Sequence, residues 1–117
     1  MARLRLGDAA QAVAALERVP DRERLALDLT YMAEAQLALG DTELAERTAS
    51  DAIDEFDSIH GRSWMARARA RRLLGDIDGA ARDYNKALIA RDEPWIEQQA
   101  LEDLQAIGRP VTDDDDE

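Results

Sequence analysis

The stretch Leu73–Leu88, LLGDIDGAARDYNKAL, reads as a helix end, a tight turn and a new helix. Gly75 can take the left-handed conformation that closes a helix. Asp76 then stands at the N-cap, where a carboxylate accepts the free N–H groups of the next turn. Ile77, Ala80, Ala81, Tyr84, Ala87 and Leu88 follow at helical spacing on one face. The phrase recurs. Leu39-Gly40-Asp41 leads into Leu44, Ala45, Thr48, Ala49, Ala52 and Ile53, and Leu6-Gly7-Asp8 leads into Ala9, Ala12, Val13 and Leu16. Gly7, Gly40 and Gly75 are spaced 33 and 35 residues apart. A helix–turn–helix unit repeating at about 34 residues predicts stacked helical hairpins.

The chain resembles tetratricopeptide-repeat proteins over roughly residues 1–108. In the third unit Trp64 stands at the first-helix aromatic position and Ala68 where two helices cross closely. Gly75 and Asp76 match the turn. Ala80, Tyr84 and Ala87 match the small–aromatic–small pattern of the second helix, and Pro94 closes the unit. Leu29, Ala33, Gly40, Asp41, Ala45, Ala49 and Ala52 are the counterparts in the second unit. The first keeps only Gly7, Asp8, Ala12, Leu16 and Val19. Arg71 and Gln36 depart from the family, at a place where a tyrosine is usual, and Ala49 stands where an aromatic is common. The resemblance implies an all-α solenoid of about three helix pairs, the first truncated, followed by a capping helix. It implies no ligand, because a repeat fold hosts many.

The formal net charge is −11, which argues against nucleic acid as the main partner, since phosphate binding needs surplus positive charge. The acidity fits basic partners or a high-salt interior equally. The absence of cysteine rules out disulfides and thiolate zinc sites. No stretch has the length of a membrane span, and residues 1–6 are too short for a signal peptide, so a cytoplasmic protein is expected.

In order, residues 2–6 read as the end of a helix whose start is missing, or as a short frayed helix; the first reading makes the chain a fragment. Helices are expected over about 8–18, 21–39, 42–57, 62–74, 77–91 and 95–107. On the second of these, Leu25, Leu29, Met32, Ala33, Gln36 and Leu37 form the expected inner stripe. On the last, Ile96, Ala100, Leu101, Leu104 and Ile107 form the apolar face. Residues 109–117 are expected to be a disordered acidic tail, because its like charges repel.

No catalytic constellation is found, and the chain reads as a non-enzyme with no cofactor. His60, beside Ser58, reads as a solvated loop histidine, since a triad needs a converging base, nucleophile and acid. Asp76-Ile77-Asp78-Gly79 begins like a calcium loop but lacks the later ligands, with Ala87 in place of the closing glutamate. No metal site is expected.

One functional signal remains. Arg62, Arg67, Arg69, Arg71 and Arg72 crowd one helix of an acidic protein. One reading is internal pairing, with Glu34, Glu97, Glu102 and Asp103 as the neutralising acids. The other starts from the family resemblance, which implies that the first helix of each unit lines a concave groove where ligands bind. Arg62, Met65, Arg69, Arg72 and Leu73 would then face the groove from the third unit, and Leu27, Thr30, Tyr31, Glu34 and Leu37 from the second. Arginine forks match carboxylates. The expected function is therefore an adaptor or scaffold whose groove binds a partner's peptide, acidic in character. The alternatives are a self-associating structural unit, joined through the truncated first repeat or the acidic tail, and a regulatory piece of a larger protein. The tail is also a candidate occupant of an arginine groove.

Overall fold

Two glycines close the hairpins in the same way. Gly40 has φ +86° and Gly75 φ +91°, a left-handed backbone that costs an L side chain energy. Around each, two backbone bonds finish the preceding helix. Gly40 N–H donates to Leu37 O (3.1 Å) and Asp41 N–H to Gln36 O (2.9 Å); Gly75 N–H donates to Arg72 O (3.1 Å) and Asp76 N–H to Arg71 O (2.8 Å). Gly108 ends the last helix with the same pair of bonds, to Gln105 and, from Arg109, to Leu104. Carbonyls that helix termini leave without partners are thereby satisfied. The next helix starts differently at the two hairpins. Asp76 Oδ1 accepts the Gly79 N–H at 2.9 Å, as an N-cap should. Asp41 makes no such bond, contrary to the parallel expected from the repeated phrase.

The computed structural model describes residues 22–90 and 93–112. The expected first repeat falls outside these residues, as do 113–117 of the tail. The described residues form helices and connecting turns, with no strand. Helix α1 is Arg22–Ala38, α2 Thr42–Ser50, α3 Gly61–Leu73, α4 Ile77–Ala90 and α5 Pro94–Ala106. One departure from the expected 42–57 helix is a π-helical turn at Asp51–Glu55, which continues α2. Phe56 N–H reaches back to Asp51 O and Ser58 N–H to Ala52 O. Asp57, at φ +52°, ends it, a conformation that aspartate tolerates better than most residues.

Each helix packs on the next, α3 on α4 most extensively. In addition α1 packs on α3, and α3 touches α5, whereas α2 and α4 do not pack against each other. Alanines set these close approaches. Ala33, Ala49 and Ala66 form a small cluster where α1, α2 and α3 meet. The larger core joins Met65 and Ala68 of α3, Ala80, Tyr84 and Ala87 of α4, and Ile96, Ala100 and Leu104 of α5. Of the positions carrying the sequence pattern, Ala33, Ala45, Ala49, Ala52, Ala68, Ala80, Tyr84 and Ala87 are fully buried, whereas Leu29 and Trp64 are half-buried. The stripe of α1 is rotated from the expected one. Ala26, Thr30, Ala33, Ala35 and Gln36 are buried, while Leu25, Leu29, Met32 and Leu37 are half-buried. Small side chains occupy the positions where backbones come near. Leu101 stands exposed on α5 rather than in its apolar face.

No helix among the described residues is long and apolar enough to cross a membrane.

Candidate functional site

Helix α3 carries arginines on two opposite sides, because residues seven apart return to nearly the same face at about 3.6 residues per turn. Arg62, Arg69 and Leu73 share one side with Arg72 flanking it; Trp64, Arg67 and Arg71 occupy the other. Every one of the five arginines has an acidic partner. On the first side Arg62 donates from Nε to Glu34 Oε2 at 2.7 Å and from Nη2 to Glu34 Oε1 at 3.0 Å. Burial opposes the charge of Arg62, and the Glu34 carboxylate outweighs it, holding the guanidinium above its usual range. The same guanidinium lies over Tyr31 of α1, 4.7 Å from the ring centre, and over Trp95 of α5 at 5.2 Å. Three helices are thus joined through one side chain by ion-pair and cation–π contacts.

Arg69 and Arg72 converge on one carboxylate. Arg69 Nε lies 3.3 Å from Asp103 Oδ2 and Arg72 Nη1 3.9 Å from Asp103 Oδ1. The Gln99 amide donates to the same Oδ1 at 3.0 Å. Two cations to one anion leave a net positive charge here. Asp103 is only 11% exposed, whereas Arg69 and Arg72 are 41% and 39% exposed, so the surplus faces solvent. These pairs use the expected Glu34 and Asp103, but not Glu97 or Glu102.

On the opposite side Arg67 pairs with Asp83 (3.0 Å) and Asp54 (3.5 Å), and Arg71 with Asp83 (3.1 Å) and Glu46 (3.2 Å). Burial pushes the Asp83 carboxyl above its usual range, while the two guanidinium groups pull it down. Asp83, Glu46 and Asp54 were not among the acids expected to neutralise α3. A signal for Asp83 does exist: Arg67 and Asp83 lie eight residues either side of Gly75, so a hairpin folded at that glycine sets them opposite each other.

Of the residues expected to line a groove, Arg62, Arg69, Arg72, Leu73, Tyr31 and Glu34 are exposed or half-exposed, as are Leu27 and Leu37. Thr30 and Met65 are not available to a ligand. Met65 is in the core between α3, α4 and α5. Thr30 sits in a buried chain of hydroxyls: it donates to Ala26 O at 3.0 Å and lies 2.6 Å from Ser63 Oγ, which lies 2.6 Å from Ser58 Oγ. Ser58 in turn accepts the His60 N–H at 3.2 Å. The donors therefore run one way, Ser58 to Ser63 to Thr30 to Ala26. This chain occupies the Ser58 hydroxyl that a catalytic reading would need beside His60.

No family model, no curated protein and no solved structure matches the chain. Its function therefore has to be argued from the two faces of α3. Among the described residues no group of histidine, cysteine and acidic side chains is arranged to hold a metal.

Proposed function

We propose that the chain is a non-enzymatic interaction module of the tetratricopeptide kind, acting in the cytoplasm as an adaptor or scaffold. Its α1–α3–α5 face binds an acidic peptide segment of a partner. The observation that carries this reading is the sharing of Asp103 by Arg69 and Arg72. In a protein of net charge −11, a half-exposed pair of guanidinium forks with one carboxylate between them is a local positive site. An incoming carboxylate completes the charge balance and takes the free N–H groups of either fork. Arg62 has Glu34 for itself and contributes shape instead, holding Tyr31 and Trp95 on either side as an aromatic platform. The side-by-side contacts of α1 with α3 and of α3 with α5 support a continuous face.

The test is fluorescence anisotropy with labelled Asp/Glu-rich and Ser/Gly-rich peptides of equal length. Acidic peptides bind the wild type more tightly, and R69E/R72E weakens them at least tenfold without unfolding the protein. Equal binding of both peptides, or an unchanged affinity in the reversal, removes the proposal.

A further inference from the structure

The opposite side of α3 opens into a cleft of about 480 Å³ between α3, α4 and residues 109–112. It forms over Trp64, Arg67 and Arg71. Arg67, Arg71, Arg82, Lys86 and Arg109 line it, against two acids, Asp78 and Asp83. Five cations and two acids thus line one concavity of a strongly acidic chain, with Asp54 and Glu46 outside the lining also pairing with Arg67 and Arg71. Both acids are engaged: Asp83 holds Arg67 and Arg71, and Asp78 pairs with Arg109. Arg82 stands exposed on α4 and makes no ion pair with a carboxylate among the described residues. Trp64 forms the floor, with Arg67 5.1 Å and Lys86 5.6 Å from its ring centre.

Asn85 fixes where the chain leaves this cleft. It is buried, and its amide donates to Ala81 O (3.0 Å) and Pro110 O (3.3 Å), while its Oδ1 accepts the Thr112 N–H at 2.8 Å. The segment 109–112 is therefore fastened along α4, with Pro110 and Thr112 in the cleft wall. The five residues that follow are Asp113-Asp114-Asp115-Asp116-Glu117. Five residues span at most on the order of 17 Å, and they start from the wall itself.

We propose that this cleft is a carboxylate-binding site and that its occupant is the chain's own acidic segment, residues 113–117, bound in cis. The charges are complementary, and the Asn85 clasp gives the segment a high local concentration, in the millimolar range expected for short tethers. The site is a different one from the α1–α3–α5 face, so either assignment can fail without the other.

The test uses the acetylated peptide VTDDDDE, labelled, against the full chain and against a chain ending at Thr112. At low ionic strength the shortened chain binds the peptide, and the full chain binds it about tenfold more weakly, because a tethered competitor near 1 mM displaces a ligand of Kd near 0.1 mM by about that factor. Both chains carry R69E/R72E, so that the α1–α3–α5 face does not take the peptide, and in that background R82E/K86E in the shortened chain abolishes the binding. A second readout needs no added peptide. With Trp95→Phe, Trp64 is the remaining tryptophan, and its emission shifts when residues 113–117 are removed. Equal affinity of the two chains, binding that survives R82E/K86E, or a Trp64 emission indifferent to the tail overturns the proposal. A tail-dependent dimer in light scattering also overturns it, by placing the segment on a second copy.

Discussion

Arg67 grips Asp83 with a two-pronged bond, Nε to Oδ2 at 3.0 Å and Nη2 to Oδ1 at 3.2 Å, in the interior between α3 and α4. The side chains are 9% and 3% exposed. Taking two charges out of water is costly, so such a pair adds little net stability, but losing one partner leaves a buried charge. Asp83→Ala is expected to cost about 3–5 kcal/mol. Arg67→Met with Asp83→Leu is expected to recover most of that loss, since Arg71 keeps Glu46. Urea midpoints of the two variants and the wild type decide it; a double variant no better than Asp83→Ala refutes the account.

The hydroxyl chain makes a second prediction. Ser63 both accepts from Ser58 and donates to Thr30, so Ser63→Ala leaves the Ser58 O–H without its acceptor and takes from Thr30 the donor it accepts from, while Thr30 keeps its bond to Ala26 O. The expected cost is about 1–3 kcal/mol, the range for leaving a buried polar group unsatisfied. In the Thr30→Val background the cost of Ser63→Ala should shrink, because the Ser63–Thr30 bond is already gone. Additive losses in thermal melts count against a coupled chain.

Gly79 and Asp76 oppose each other at the start of α4. A methyl group added at Gly79 collides with the Asp76 carboxylate that caps the helix. Gly79→Ala alone should therefore be near neutral: it gains about 1 kcal/mol of helix propensity and displaces a cap worth about the same. With Asp76→Ala already present, the same change should stabilise by about 1 kcal/mol. Chemical denaturation of the four-member cycle measures the difference.

Tyr84 supplies a pH test. It is fully buried in the core, its hydroxyl has no hydrogen bond of ordinary length, and burial, assisted by the Asp103 charge, pushes its pKa up to about 12. Between pH 10 and about 12 the unfolded chain loses this proton and the folded one keeps it. Its contribution to stability is present below pH 10 and falls as pH rises through that window. Tyr84→Phe should lose less stability than the wild type between pH 10 and 12, with little change at pH 7. Parallel curves in denaturant titrations across that range contradict the burial argument.

Much of the helical plan was legible before any coordinate. Glycine at 40 and 75 can adopt backbone angles that other residues resist, and alanines at helical spacing announce close packing, so hairpin turns and buried small residues follow from local chemistry. The α1 stripe was legible only in part. Leucines look like the inner face by hydropathy, but where helices approach most closely only Ala26, Thr30 and Ala33 fit. Asp41 shows a similar limit, since the right residue in the capping place still makes no cap.

The amino-acid sequence alone determined the helical class, the two described hairpin turns and the crowding of arginines on α3, because backbone preference and hydrophobic spacing act over a few residues. Tertiary structure decided what each arginine does. Which acids stand opposite, whether Asp103 is shared by two cations, and where Asn85 releases the chain depend on side chains brought together from distant positions. Charge pairing falls off over a few ångströms, so only packed helices could set it.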